Sequence, residues 1–90
     1  DDPLTARARR IWSAGSYDRI AAGFRHEGEA FVARRALRPG RLVLDAACGS
    51  GNLTIPAART GAWVTGLDVV PALLDAAAAW AGREGLAVGL

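Results

Sequence analysis

From Arg41 onward, short apolar runs alternate with segments of helical length. The sequence reads LVLDA, then a glycine turn and NLTIPAART, then AWVTGLD, then VPALLDAAAAWAGREG, and finally LAVGL. Apolar runs of this length separated by helical segments are typical of βαβ units, in which successive strands lie parallel. The pattern predicts the order strand, helix, strand, helix, strand in an α/β fold.

The second helical segment of this region has a distinct apolar face. Pro71 fits the first turn of a helix, where the missing N–H has no intrahelical partner to lose. At 100° per residue, the apolar face consists of Leu73, Leu74, Ala77, Trp80 and Ala81. We expect this helix to pack on the sheet, with Trp63 and Trp80 both in the core.

The first 40 residues mix charged, aromatic and small side chains, and they predict short helices joined by turns. A helix is expected to begin at Asp1 or Asp2, just before Pro3, and Gly15 with Ser16 interrupts the pattern.

A further helix is predicted from Glu29 to Arg38, because Pro39 disfavours helical geometry in the residue before it. The three predicted strands are too few for an independently stable parallel sheet. We therefore expect a truncated protein, or one whose core is completed by a missing C-terminal part or by another copy in a homo-oligomer.

Composition and charge narrow the possible classes. The chain has 90 residues, of which 51% are hydrophobic, and a formal net charge of +2, which is too small to indicate a nucleic-acid partner. Its single cysteine forms no intramolecular disulfide and lies in no cluster of metal-ligand spacing, so no metal is expected and a reducing compartment is the default. The apolar stretches fall short of the roughly 20 residues of a membrane span. We expect a soluble cytoplasmic protein without a membrane partner.

The candidate chemistry lies just after the predicted strands, where parallel sheets bind ligands. Asp45 follows the first apolar run and Asp68 follows the second. Gly49 and Gly51 form a G-x-G turn in which backbone amides can approach a ligand at the start of a helix. An acidic residue at the second strand end is placed to accept hydrogen bonds from ribose hydroxyls. Together the two strand ends predict a site for a nucleoside-bearing cofactor.

The details of the turn distinguish between cofactors. The dinucleotide fingerprint G-x-G-x-x-G would require glycine where Thr54 stands. A carboxylate at Asp45 would also repel a pyrophosphate, whereas S-adenosylmethionine carries a cationic amine and a sulfonium. A phosphate-binding G-K-[ST] loop is excluded because the sequence contains no lysine. These observations favour S-adenosyl-L-methionine.

The stretches VLDAACGSGNLTIPAA and GAWVTGLDVVPALLDAAAAWA resemble the class I S-adenosylmethionine-dependent methyltransferases. The first motif of that family runs apolar-apolar-Asp-x-Gly-x-Gly-x-Gly, and here Ala47 replaces its first glycine. The resemblance implies a Rossmann-like, doubly wound, mostly parallel sheet, of which the first βαβαβ half is present, preceded by N-terminal helices. It also implies that Asp45, Ala47, Gly49 and Gly51 hold the methionine end of the cofactor.

At the other end of the cofactor, the resemblance implies that Asp68 holds the ribose and that Val69 lies against the adenine. The stretch IWSAGSYDRIA is similar to the small-molecule branch of the family, where a helix folds over the cofactor, so Tyr17 is expected to help close the site. Two interpretations of Trp12 together with Tyr17 stay equally open: they line an acceptor pocket, or they pack the N-terminal helices together. Residues 1–40 would then cover the site, and residues 41–90 would form the N-terminal half of the cofactor-binding domain.

The implied activity is S_N2 transfer of a methyl group to a small-molecule acceptor, with no catalytic base assignable. Two other functions stay open: an NAD(P)-binding Rossmann oxidoreductase and a non-catalytic interaction module of the same fold. Cys48 is expected to be a small buried residue and His26 a surface residue. Arg34, Arg35 and Arg38 are expected on a solvated helix face.

Overall fold

The computed structural model describes residues 2–15 and 17–90. Five helices and two strands follow one another in these residues: α1 (Pro3–Ser13), α2 (Tyr17–Ala22), α3 (Arg25–Arg35), β1 (Leu42–Ala46), α4 (Thr54–Arg59), β2 (Trp63–Leu67) and α5 (Pro71–Glu84). The order confirms the predicted α/β architecture, in which N-terminal helices precede the first strand in the sequence. Within the same residues, no helix is long and apolar enough to cross a membrane.

The sheet consists of β1 and β2, which run parallel in a register that pairs Leu42 with Trp63 and Ala46 with Leu67. The predicted third strand is reduced to a single parallel bridge on the other side of β2. Gly89 makes this bridge: its N–H donates to the Val64 carbonyl at 2.9 Å, and its carbonyl accepts from the Gly66 N–H at 2.7 Å.

Among the N-terminal helices, α1 begins as predicted. The Asp2 side chain accepts a hydrogen bond from the Thr5 N–H at 2.9 Å and caps the helix, with Pro3 in its first turn. The alternative start at Asp1 and the predicted break at Ser16 lie outside the described residues.

Helix α3 differs from the predicted Glu29–Arg38 span at both ends, since it covers Arg25–Arg35. It ends before Pro39 because Ala36 adopts the left-handed conformation, with φ 51° and ψ 49°. The chain then turns through Gly40, with φ 84°, into β1.

The core lies between the sheet and the helices on one of its faces. One cluster joins α3, α4 and β2 through Val32, Ala57, Ala58, Ala62 and Val64. A second joins α4 to α5 through Ile55, Trp80 and Ala81. The prediction that Trp80 is buried is confirmed, whereas Trp63 lies outside the core that the described residues form, with its side chain 63% exposed. Trp63 points to the opposite face of the sheet, where Leu42 and Leu44 are also exposed.

A hydrogen-bonded ion-pair network joins the outer sides of α3, α4 and α5. Arg59 binds both carboxylate oxygens of Glu84, at 2.7 and 2.6 Å, and donates to Glu29 at 2.7 Å. The Trp80 indole N–H also donates to Glu84, at 2.6 Å. These hydrogen bonds, those from Arg59 first, lower the pKa of Glu84 to about 2.

Candidate functional site

The turn after β1 has left-handed backbone at alternate residues. The φ angles are 56° at Ala47, 56° at Gly49 and 104° at Gly51. Ala47 adopts this conformation although it has a Cβ, at a typical cost of roughly 1 to 2 kcal/mol. The position where the family motif has glycine therefore keeps the backbone conformation that glycine favours.

Position 51 requires glycine because of side-chain packing as well as backbone conformation. A Cβ built on it would lie 3.2 Å from Ile55 Cγ1 and 3.4 Å from the Ala77 Cβ. Its small size lets the turn pack directly on α4 and α5. Gly51 is buried and is not among the residues that line the pocket described below.

Asp68 connects the end of β2 to the turn after β1. Its Oδ2 accepts a hydrogen bond from the Gly49 N–H at 2.8 Å, and its Oδ1 accepts one from the Val70 N–H at 2.9 Å. The two strand ends predicted to form one site are thus in direct contact. The sequence indicated an acidic residue here but not its two backbone partners.

Asp45, which the family resemblance places at the methionine end of the cofactor, contacts Thr54 instead of the pocket. Its Oδ2 accepts a hydrogen bond from the Thr54 hydroxyl at 2.6 Å, and Thr54 is fully buried at the start of α4. The carboxylate thereby fixes the first turn of α4, and Asp45 does not line the pocket. Thr54, which stands where a dinucleotide fingerprint has glycine, is a structural partner of the motif's aspartate.

A pocket of about 560 Å³ opens at the carboxyl ends of the two strands. Five of the seven predicted site residues line it: Tyr17, Ala47, Gly49, Asp68 and Val69. Its other walls come from the turn after β1, the end of β2, the N-terminal helices, α5 and the last residue: Trp12, Ala21, Cys48, Ser50, Asn52, Gly66, Leu67, Leu73, Leu74 and Leu90. The wall is largely apolar, with Asp68 as its carboxylate among the described residues.

The N-terminal helices reach the pocket through aromatic and polar contacts. Trp12 and Tyr17 pack edge to face, with ring centroids 5.2 Å apart and an interplanar angle of 78°. The two rings contact each other, and both also line the pocket. The Arg9 Nε donates to the Val69 carbonyl at 2.8 Å, which joins α1 to the turn after β2.

Asn52 is a site residue that sequence reasoning missed. Its Nδ2 donates to the Ala21 carbonyl at 2.7 Å, so it joins α2 to the glycine turn across 31 residues. Its Oδ1 is buried without a hydrogen-bond partner among the described residues. A polar residue directly after the last glycine of the turn was the available signal.

The remaining chemistry-bearing side chains lie where they were expected. Cys48 is buried; that burial, followed by the nearby charges of Asp45 and Asp68, raises its pKa, so the thiol stays protonated at neutral pH. His26 is exposed on α3. Among the described residues, no group of three or more His, Cys, Asp or Glu side chains is placed to hold a metal ion.

Comparison with known proteins places this geometry in a family. The profile of the methyltransferase domain family matches residues 43–90, more than half of the chain. An uncharacterised protein of Mycobacterium tuberculosis is 41% identical over 87 residues, which are 96% of this chain and 32% of the relative. A malonyl-(acyl-carrier protein) O-methyltransferase of Serratia marcescens is 42% identical over 65 residues, 72% of this chain and 26% of the enzyme. The chain thus spans about a third of the length of such relatives.

A solved structure shares the fold. Magnesium protoporphyrin IX methyltransferase from Synechocystis, crystallised with bound S-adenosylhomocysteine, aligns with a TM-score of 0.77 and 25% identity over 94% of this chain and 49% of that one. The likeness confirms the predicted first half of a Rossmann-like sheet preceded by helices. The chain belongs to the methyltransferase domain family, as its resemblance to the class I S-adenosylmethionine-dependent methyltransferases predicts.

Proposed function

We propose that this chain binds S-adenosyl-L-methionine in the pocket at the strand ends, and that the protein containing it transfers the methyl group to a small-molecule acceptor. The observation that carries the proposal is the contact between Asp68 and the Gly49 N–H. It joins the acid and the glycine turn, which the family motif assigns to the two ends of the cofactor, at one pocket. The names of the Serratia and Synechocystis methyltransferases support the same activity.

Asp68 has the capacity to bind a ribose while it holds the turn. Each of its oxygens accepts one backbone N–H, and a carboxylate oxygen has two lone-pair positions. One position on each oxygen therefore remains for a ribose hydroxyl. Val69, the next residue along the wall, would lie against the adenine, and Tyr17 would close the pocket from the helical side.

Electrostatics favour this cofactor over a dinucleotide. The methionine end would lie against Ala47 and Gly49, with Asp45 behind the turn and Asp68 beside it. Two carboxylates attract an ammonium and a sulfonium group and repel a pyrophosphate. Asp45 would act through the turn, since its hydrogen bond goes to Thr54.

The chemistry we propose is S_N2 displacement, in which the acceptor attacks the sulfonium methyl and S-adenosylhomocysteine leaves. Positioning of the methyl group supplies much of the rate in such a reaction, and a base is needed only where the acceptor must lose a proton. The described residues of the wall would hold the cofactor and exclude water. We also propose a cytoplasmic location, which the single reduced cysteine supports.

Residues 1–90 by themselves are proposed to be inactive. The outer face of the sheet exposes Leu42, Leu44, Trp63 and Leu67, with exposed fractions of 88, 64, 63 and 52%. An uncovered apolar face of this kind marks a surface that is buried in the working protein. We therefore propose that residues 1–40 cover the site, that residues 41–90 form half of the cofactor domain, and that the rest of a longer chain completes it.

Calorimetric titration of the full-length protein tests the proposal. S-adenosylhomocysteine is expected to bind, and NAD and NADP are expected to produce no binding heat. Heat with NAD alone would favour the oxidoreductase, and heat with neither would favour a non-catalytic module. The same titration on residues 1–90 is expected to show weaker binding than the full-length protein.

A further inference from the structure

Helix α1 borders the pocket without belonging to the core. None of its described residues is buried, and Leu4, Ile11 and Trp12 are 78, 57 and 49% exposed. A segment with few buried apolar contacts opens at low free energy compared with global unfolding. Specific contacts therefore decide how long α1 stays over the pocket, where it contributes Trp12 to the wall.

Arg9 makes such a contact with a residue of the pocket wall. Its Nε donates to the Val69 carbonyl at 2.8 Å, across 60 residues of sequence. Val69 is part of the pocket wall, in the turn that also contains Asp68. The hydrogen bond thus joins the middle of α1 to the part of the wall that would touch the adenine and ribose.

The neighbouring arginines of α1 lack this placement. Arg7 and Arg10 are exposed, whereas Arg9 is half-buried. The planar guanidinium, with its Nε–H, suits a directed hydrogen bond to a neutral carbonyl. Arg10 carries the same charge on the same helix and so provides a matched control.

We propose that Arg9 is a positioning residue that holds α1 over the bound cofactor and slows the release of S-adenosylmethionine and S-adenosylhomocysteine. The inference rests on the proposed function, since it requires that the pocket bind this cofactor. Movement of α1 away from the turn after β2 must break the Arg9 hydrogen bond. Arg9 is therefore expected to affect the dissociation rate more than the association rate.

The test is stopped-flow dissociation of S-adenosylhomocysteine from the full-length protein and its R9Q, R9K and R10Q variants. Loss of the hydrogen bond to Val69 predicts dissociation at least about three- to tenfold faster in R9Q. R9K, whose ammonium can also donate to a carbonyl, is expected to recover part of the loss, and R10Q is expected to match the parent protein.

Two results would overturn the proposal: equal rates in R9Q and the parent, or equal acceleration in R9Q and R10Q. The melting temperature without ligand distinguishes a general structural role of Arg9 from its proposed role in ligand release. The proposal predicts equal melting temperatures for R9Q and R10Q. A markedly lower value for R9Q alone would contradict it. If the parent protein binds no S-adenosylhomocysteine, the proposed function itself fails, which is distinguishable from a failure of Arg9.

Discussion

Replacement of Asp68 separates its structural role from its proposed role in binding. In Asp68→Ala, the Gly49 and Val70 N–H groups lose their carboxylate acceptors at 2.8 and 2.9 Å. A hydrogen bond to a charged group contributes roughly 1.5 to 3 kcal/mol, and less where water can replace it. Since Asp68 is half-buried, we expect the two bonds together to contribute about 2 kcal/mol to the free energy of unfolding.

Asp68→Asn refines this estimate, because the amide keeps the shape but has one acceptor oxygen. One of the two backbone N–H groups then faces a donor, so about half of the stability loss is expected, near 1 kcal/mol. In Asp68→Asn, the loss of cofactor affinity should be more than half of the loss in Asp68→Ala, since both carboxylate oxygens are proposed to accept from ribose hydroxyls. Loss of these hydrogen bonds predicts weakening by roughly 1 to 3 kcal/mol in Asp68→Ala.

Urea denaturation and calorimetric titration with S-adenosylhomocysteine measure the two effects on the full-length protein. Asp75→Asn is the control, because Asp75 is an exposed carboxylate on α5 outside the pocket. It should change neither quantity appreciably. Unchanged stability in Asp68→Ala would refute the structural role, and unchanged affinity would remove Asp68 from the binding site.

Three further predictions concern backbone strain, packing and acid stability. Ala36→Gly and Ala47→Gly each relieve a left-handed alanine, with φ 51° and 56°, and should raise the free energy of unfolding. The net gain is about 0.5 to 1 kcal/mol after the greater freedom of glycine in the unfolded chain is subtracted. If urea denaturation gives a lower free energy of unfolding for both variants than for the parent, the left-handed alanines are not strained. Gly28→Ala places a Cβ against the Asn52 carbonyl oxygen and should lower the melting temperature, whereas an unchanged value would show that α3 can shift freely. Glu84 has a pKa lowered to about 2 from the usual 4.5, so its contribution is complete above that usual value and is lost as the pH falls towards 2; E84Q should flatten this part of the pH–stability curve, and parallel curves would contradict the assignment.

The sequence was sufficient to predict the elements around the strand ends. Alternating apolar and helical segments placed β1, α4, β2 and α5, because each element's period and end signals are local. The proximity of Asp68 to Gly49 also followed, since the carboxyl ends of parallel strands meet at one edge. Ala47 was recognisable as a departure from the motif, and the structure shows that the backbone conformation is kept.

What sequence reasoning missed depends on contacts between distant segments. Trp63 was expected in the core, but the burial of a strand residue depends on which face of the sheet is covered. The hydrogen bonds from Arg9 to Val69 and from Asn52 to Ala21 span 60 and 31 residues, and no local sequence pattern predicts them. The early end of α3 came from a left-handed alanine, which composition does not favour.

S-adenosylmethionine is proposed to bind where the glycine turn meets the end of β2. Amide chemical shifts of the ¹⁵N-labelled full-length protein, recorded during titration with S-adenosylhomocysteine, test it most directly. The largest shifts are expected at Gly49, Asp68 and Val69, with little change at Arg83 near the far end of α5. Shifts confined to other parts of the chain, or no shifts at saturating ligand, would contradict it.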